Sequence, residues 1–161
     1  MKKGRTVIGL AVLEEKEGHR LGKVIDVLYS GDEGKILGIM VETEGISLPE
    51  MRFIQFPTII KLTEEAVFVE GKDALLAPQC LKNNEETSYS AALLSGQHIY
   101  SELGKEKGTI KDVLLDFTLG KVEGYQISTG LISDLISGRN VIPVGNVITM
   151  GKDMIIVKDE V

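Results

Sequence analysis

An internal repeat constrains the fold of this 161-residue chain more than any other feature. It is clearest in residues 21–28, LGKVIDVL, and residues 107–114, KGTIKDVL, which lie 86 positions apart. Three further pairs of segments follow, at offsets that grow from 86 to 87 and then to 88: 34–38 with 120–124, 52–54 with 139–141, and 65–69 with 153–157. The chain is therefore predicted to contain two copies of one unit of about 75 residues, near the lower end of domain size.

Each copy has the pattern of β-strands separated by tight turns. In the second copy, residues 110–117 are rich in β-branched and other apolar side chains, and Gly120 lies in the turn that follows. The first copy has a similar hairpin, with Gly31 and Gly34 in its turn. Several short strands in each copy predict a small, partly open barrel or rolled sheet and not an alternating β–α fold.

One or two short helices are expected beside the strands. Residues 131–138, LISDLISG, carry apolar side chains at helical spacing and end in glycine, and residues 90–94 are compatible with a second short helix. The polar, turn-rich segment between the copies is interpreted as a linker. The predicted organisation is a first domain at 1–75, a linker at 76–90 and a second domain at 91–161.

The charge of the chain argues against a nucleic-acid-binding function. Its 18 Lys and Arg and 24 Asp and Glu leave a net charge of −6, divided equally between residues 1–75 and 76–161. A molecule of this sign repels phosphates, and the eight Tyr and Phe form no ladder on which bases would stack. Direct binding to nucleic acid is therefore disfavoured.

The sequence also predicts where the protein is found. A single cysteine, Cys80, excludes an intramolecular disulfide and fits the reducing cytoplasm. The apolar stretch at 7–13 is short and runs into acidic residues without a cleavage site, so it is not expected to be a signal peptide. No window approaches the roughly 18 apolar residues that span a bilayer. We expect a cytoplasmic protein that is not integral to a membrane.

The repeated motifs resemble the PRC-barrel family, which is named after the cytoplasmic domain of the photosynthetic reaction-centre H subunit. The resemblance rests on Gly-Lys-Val-Ile-Asp-Val at 22–27 and Gly-Thr-Ile-Lys-Asp-Val at 108–113, and on the Gly-Lys pairs at 34–35 and 120–121. Gly-Arg-Asn-Val-Ile-Pro at 138–143 adds to it. The segments 132–135 and 151–157 are similar to tandem PRC-barrel proteins of Gram-positive bacteria.

The resemblance implies an all-β fold of two small, partly open PRC-like β-barrels in tandem, with one or two short helices. Such barrels serve as protein-interaction modules, and the family shares no catalytic set that would carry over to residues here. The PRC-barrel family also includes the C-terminal domain of a bacterial ribosome-maturation factor. The first copy departs from the pattern at Gln55-Phe56-Pro57, where the second has Ile142-Pro143-Val144.

Motifs for catalysis or metal binding are missing from the sequence. His19 and His98 occupy different positions in the two copies, and neither forms a spaced motif with Cys80. Zinc, calcium and phosphate-loop spacings are absent as well. We therefore expect no enzymatic activity, no cofactor and no metal site. The acidic clusters at 14–17, 32–33 and 64–65 are interpreted as solvated tips of turns.

One carboxylate recurs inside an apolar strand of both copies, as Asp26 and Asp112. Asp26 is predicted to share a face with Val24 and Leu28, and a buried carboxylate needs partners. Arg52 and Arg139 align at an offset of 87. The predicted structural pairs are therefore Asp26 with Arg52 and Asp112 with Arg139, unless each carboxylate accepts hydrogen bonds from backbone amides beside it. A role as general base or proton relay would require a nearby cavity.

Three classes of function follow. The leading hypothesis is a non-enzymatic module that binds an unidentified protein through exposed sheet edges or the groove between the copies. An accessory factor in ribosome or RNA maturation, contacting a ribosomal protein, is the alternative that the resemblance implies. A small-ligand-binding barrel is the third, although barrels of this size are usually filled by side chains. The sequence is compatible with a homodimer as well as with a monomer.

Overall fold

A computed structural model describes residues 2–31, 34–45, 47–79, 88–129, 141–151 and 153–159. These residues form fourteen β-strands in two seven-stranded sheets, together with two α-helices of four residues each. The predicted all-β class, with two small barrels and short helices, is confirmed. Within the described residues, no helix is long and apolar enough to cross a membrane.

The first copy contains seven strands and one α-helix, with 3-10 turns at Phe56–Thr58 and Lys72–Ala74. In chain order these are β1 (Lys2–Lys3), α1 (Gly4–Val7), β2 (Ala11–Glu14), β3 (Arg20–Ser30), β4 (Ile36–Thr43), β5 (Met51–Gln55), β6 (Ile59–Leu62) and β7 (Ala66–Val69).

The second copy repeats this order, with a 3-10 turn at Val144–Asn146. Its elements are β8 (Ser88–Ser90), α2 (Ala91–Leu94), β9 (His98–Ser101), β10 (Glu106–Asp116), β11 (Lys121–Ser128), β12 (Val141–Pro143), β13 (Val147–Met150) and β14 (Met154–Val157). Helix α2 lies where residues 90–94 predicted one, and the Ser90 hydroxyl caps it by accepting from the Leu93 amide at 3.2 Å. The helix predicted at 131–138 and most of the central linker lie outside the described residues.

The two sheets have the same topology. Their strand orders are β5-β4-β3-β2-β7-β6 and β12-β11-β10-β9-β14-β13. The first and last parts of each copy pair in parallel, β2 with β7 and β9 with β14. A 3-10 turn follows both β5 and β12, at Phe56–Thr58 and Val144–Asn146, so the two copies have the same local shape here although their sequences differ.

The seventh strand of each sheet comes from the other copy. Strand β1 pairs with β10, placing Lys2 opposite Leu115, and β8 pairs with β3, placing Tyr89 opposite Tyr29. The exchange was not predicted, and β8 belongs to the segment interpreted as a linker. Each barrel is therefore completed by a strand of its sibling.

A second reciprocal contact joins the turns that follow β3 and β10. The Ile36 amide donates to the Gly120 carbonyl at 2.8 Å, and the Val122 amide donates to the Gly34 carbonyl at 2.6 Å. Both glycines have positive φ, +63° and +71°, which explains why glycine stands at this position in both copies. Because each copy donates one of these two hydrogen bonds to the other, the copies are related by an approximate two-fold axis.

The main hydrophobic core is continuous across the two copies. One cluster of buried side chains contains members from both, among them Val27, Tyr29, Val113 and Tyr125. The Tyr125 hydroxyl donates to the Tyr29 hydroxyl at 3.2 Å inside it. Burial of apolar surface between the copies therefore stabilises their arrangement.

Bulges displace the repeated aspartates from the predicted face. The pairing register shifts between Val24 and Asp26, and again between Ile110 and Asp112. An extra residue in one strand interrupts the two-residue alternation of side chains. Val24 therefore packs in the main core, whereas Leu28 packs with Met40 and Phe53 in a second cluster. The prediction that Asp26 shares a face with Val24 is wrong for this reason.

Candidate functional site

Asp26 holds the helix that begins the other copy. Its Oδ1 accepts the amide of Val27 at 2.8 Å and the amide of Ala92 at 3.0 Å, and its Oδ2 accepts the Ser90 hydroxyl. Ser90 and Ala92 lie at the start of α2. The carboxylate thus fastens the exchanged segment to the strand that receives it.

Asp112 makes the equivalent contact with α1. It is 7% exposed, and its Oδ1 accepts the Val113 amide at 2.7 Å. Its Oδ2 lies 3.4 Å from the Arg5 amide and 3.6 Å from Arg5 Nε. The two aspartates therefore occupy matching positions, each binding an amide of its own strand and an amide of its sibling's helix.

The predicted arginine partners lie elsewhere. Arg52 forms an ion pair with Glu50 and donates to the Met51 carbonyl at 2.8 Å, so the Asp26–Arg52 pair is not formed. Strand β4 lies between β5 and β3, so the backbone of Arg52 is about 10 Å from the backbone of Asp26 in the hydrogen-bonding direction. An arginine and backbone amides are the two kinds of partner predicted for Asp26. The structure shows backbone amides, together with the Ser90 hydroxyl.

Arg139 lies outside the described residues, so the pairing predicted for it with Asp112 is not described. The strand that follows it nevertheless corrects the repeat alignment. Phe53 pairs with Met40, and Val141 pairs with Gln126. The offset between these strands is thus 88, and the offset of 87 that aligned Arg52 with Arg139 does not hold there.

A groove lined by both polar and apolar side chains lies between the two copies. Its volume is about 450 Å³, and it is bounded by the 3-10 turn and β6 of the first copy and by β1 and the end of β10. The Phe56 and Phe117 rings, one from each copy, lie 6.3 Å apart between centroids. Ile60 is 49% exposed on its wall. We call this space the inter-copy groove; its other lining residues are Lys2, Pro57, Ile59, Lys61, Leu62, Leu115, Asp116 and Thr118.

The inter-copy groove exists because the copies differ at two matching positions. Lys2 and Phe117 in the groove correspond to Tyr89 and Gly31 on the other side of the two-fold axis. There, the Tyr89 ring covers Gly31, where a Cβ would clash with it, and the Tyr89 hydroxyl donates to the Met150 carbonyl at 3.2 Å. Tyr89 thus fills the space that is equivalent to the inter-copy groove on the other side of the two-fold axis, whereas the space beside Lys2 stays open.

Charged side chains line the inter-copy groove together with apolar ones. Hydrogen bonds from the Leu119 and Thr118 amides, at 3.0 and 2.8 Å, lower the pKa of the Asp116 carboxyl. Lys61 Nζ lies 4.6 Å from the Phe68 ring centroid and 3.3 Å from Glu15 Oε1. Among the described lining residues there is no histidine or cysteine. This arrangement offers a ligand both apolar and polar contacts.

The buried tyrosine pair that joins the two copies, Tyr29 and Tyr125, stays neutral. Burial is the largest cause that raises the pKa of Tyr29 far above its ordinary value, and the neighbouring Tyr125 adds to it. Burial also raises the pKa of Tyr125, whose hydroxyl contacts Met150 Sδ at 3.9 Å. These phenols serve as hydrogen-bonding core residues, and ionising either would require opening the contact between the copies.

Alkaline pH is therefore expected to unfold the protein cooperatively. Because the folded-state pKa of Tyr29 is raised, its contribution to stability is complete below the unfolded pKa of about 10 and is lost as the pH rises above that value. Absorbance at 295 nm should show tyrosine ionisation that coincides with loss of β-structure by circular dichroism. Tyr29→Phe should make stability less dependent on pH above about 10. An unchanged dependence in that variant would contradict the assignment.

The remaining candidate residues are distributed over both copies. His98 Nδ1 lies 2.7 Å from Glu106 Oε1, and both side chains are exposed. His19 lies in the turn after β2, beside Glu14. Cys80 and residues 32–33 are outside the described residues.

The prediction of solvated acidic turns is wrong for one residue. Glu64 and Glu65 are exposed, whereas Glu14 is 6% exposed. Glu14 ends β2 two residues after the buried Val12, so strand alternation directs its side chain inward.

Comparison with known families gives a result for nearly the whole chain. The family model described as PRC-barrel domain matches residues 1–76 and again residues 86–160. The chain belongs to the PRC-barrel domain family. No curated protein in the comparison matches it. The two family matches agree with the two sheets, and they assign no activity to either.

Sequence reasoning missed the residues of the inter-copy groove. Phe56 and Phe117 look like ordinary apolar strand residues in the sequence. The sequence differs between the copies at residues 2 and 89 and at residues 31 and 117, and this difference could have indicated the groove. Residues 2 and 89 can be recognised as equivalent only when β1 is known to pair with β10, and the sequence did not predict that pairing.

Proposed function

We propose that this protein is a non-enzymatic, cytoplasmic protein-interaction module that binds a segment of a partner protein in the inter-copy groove. The observation that carries the proposal is the groove itself, a space of about 450 Å³ to which both copies contribute accessible apolar and polar side chains. A concave site that combines apolar side chains with a few polar groups is the usual form of a binding site.

The shape and chemistry of the groove support a peptide or loop as the ligand. Phe56 and Phe117 offer aromatic contacts, and aromatic side chains often dominate binding energy at interfaces. Lys2 and Asp116 at the boundary provide polar contacts around this apolar centre, which resembles the usual arrangement of an interface core and rim.

A contact with a ribosomal protein is a more specific version of the same function. The net charge of −6 favours a basic protein surface over RNA as the partner. An RNA contact would give an affinity that falls steeply with salt, whereas an apolar protein contact would not. Salt dependence therefore distinguishes these alternatives.

Site-specific photocrosslinking tests the proposal. A photoreactive phenylalanine analogue at Ile60 is expected to capture a partner in native cytosol. The same analogue at Ile148 provides a matched control, because Ile148 occupies the equivalent place in β13 and is 48% exposed, against 49% for Ile60. Equal capture from both positions, or capture of RNA in place of protein, would contradict the proposed site.

The captured partner then allows an affinity measurement with purified proteins. Ile60→Asp is expected to raise the dissociation constant about tenfold or more, since it places a carboxylate in an apolar contact. Ile148→Asp should leave the affinity within about twofold, because it lies outside the proposed contact. Identical affinities for wild type and Ile60→Asp would remove the inter-copy groove as the binding site.

A further inference from the structure

The turn between β2 and β3 contains a buried carboxylate oxygen with an unusual environment. Glu14 is 6% exposed, and among the described residues no hydrogen bond reaches its Oε1. This oxygen lies 2.9 Å from His19 Nδ1, but the two atoms do not have hydrogen-bond geometry. The two atoms are at ion-pair distance, but burying a carboxylate oxygen that accepts no hydrogen bond is still costly.

Copy two shows that the fold does not require a carboxylate here. Glu14 pairs with Val69 across parallel strands, and Ser101 pairs with Val157 in the same way. Ser101 is 2% exposed, and its hydroxyl accepts the amides of Leu103 and Lys105 at 3.2 and 3.3 Å. A small hydroxyl thus satisfies this buried position within the turn, so Glu14 needs an explanation particular to the first copy.

Three potential ligand atoms converge at this turn. Nδ1 of His19 lies 2.9 Å from Glu14 Oε1 and 3.7 Å from Glu17 Oε2. One ligand atom from each of the three residues can be chosen so that all three lie within 4.8 Å of one another. Two ligands bound to a tetrahedral zinc at about 2.0–2.1 Å are about 3.4 Å apart. The observed separations lie on either side of that value.

We propose that Glu14, Glu17 and His19 bind a divalent transition-metal cation in the turn between β2 and β3. One imidazole nitrogen and two carboxylate oxygens form a ligand set suited to Zn²⁺ and its neighbours in the first transition series. The cation would neutralise the buried Oε1. His19 and Glu17 are 60% and 66% exposed in their side chains, which leaves the remaining coordination positions to water.

Zinc titration of the full-length, tag-free chain tests this site. Cys80→Ser serves as the background, so that the thiol does not contribute a competing ligand. Calorimetry is expected to give one equivalent of bound Zn²⁺, and the side-chain ¹⁵N resonances of His19 should shift while those of His98 stay in place. The protein has two histidines, so the signals can be assigned with one variant each.

Matched substitutions separate the proposed ligands from other donors. Glu14→Ser installs the residue that copy two carries, and it should weaken zinc binding at least about tenfold while the protein stays folded. Glu17→Gln and His19→Gln alter exposed side chains, so they test the site even if Glu14→Ser fails to fold. His98→Gln is the control, because His98 also lies beside a glutamate, and it should change the affinity less than about twofold.

Three results would overturn the proposal. The first is no saturable zinc binding by the wild-type ligand set at concentrations up to about 1 mM, a threshold corresponding to about −4 kcal/mol. The second is unchanged affinity in both Glu17→Gln and His19→Gln. The third is a loss in His98→Gln as large as that in His19→Gln. None of these measurements involves the inter-copy groove or its partner.

Discussion

Residues 1–79 expressed alone are expected to lose most of the stability that they have in the intact chain. The fragment lacks β8 and α2, which cover β3 and fasten to Asp26, and it lacks the carbonyl of Gly120. It would also expose side chains that are buried in the shared core, including Val27 and Tyr29. We expect a loss on the order of 5 kcal/mol or more, which is comparable to the whole stability of a small domain.

Urea unfolding of the fragment and of the full chain measures this loss. Mixing the fragment with residues 86–161 should restore a 1:1 complex with the stability of a folded β-protein. Cleavage at a protease site inserted within residues 80–87 of the full chain is the control, and its products should remain associated because non-covalent contacts join the copies. A monomeric fragment as stable as the intact chain would show that the copies fold independently.

Asp112→Ala is expected to destabilise the full chain by about 2–4 kcal/mol. The carboxylate is 7% exposed and accepts the Val113 amide, and it also contacts the backbone of Arg5 in the exchanged helix. Removing it leaves the buried amide of Val113 without its acceptor and releases the start of α1. Equilibrium urea unfolding, with stability extrapolated to water, measures the effect.

Arg5→Met separates the two contributions of this contact. The Arg5 side chain is 59% exposed, so its ion pair with Asp112 should contribute no more than about 1 kcal/mol. A double-mutant cycle between the two positions should therefore give a coupling energy well below the loss in Asp112→Ala. A stability of Asp112→Ala within about 0.5 kcal/mol of wild type would argue against the structural role of this aspartate.

Local features of the fold were predictable from the sequence. The β-branched and other apolar residues of 110–117 predict a strand, and Gly34 and Gly120 predict turns with positive φ. These features depend on residues close together in the chain, so strand propensity and glycine's conformational freedom are sufficient to reveal them. The repeat then implies that both copies adopt the same fold.

Bulges and register limited what the repeat revealed about its aspartates. The sequence marks Asp26 and Asp112 as residues with a need common to both copies. It does not show that one extra residue in each strand turns the carboxylate toward the sibling's helix. A single-residue shift changes the face of every following side chain, and such a shift is set by pairing with the neighbouring strand.

The sequence alone determined that the protein is all-β, that it is a tandem repeat, and that the same glycines and aspartates serve both copies. Tertiary structure decided which copy each segment joins, and with it the burial of Glu14 and the position of the inter-copy groove. Lys2 leaves a space that Tyr89 fills on the other side, although the two residues are far apart in the chain. Their equivalence appears when β1 and β8 are paired with the opposite copies, because contact between distant segments depends on the packing of the whole molecule and not on local sequence preference.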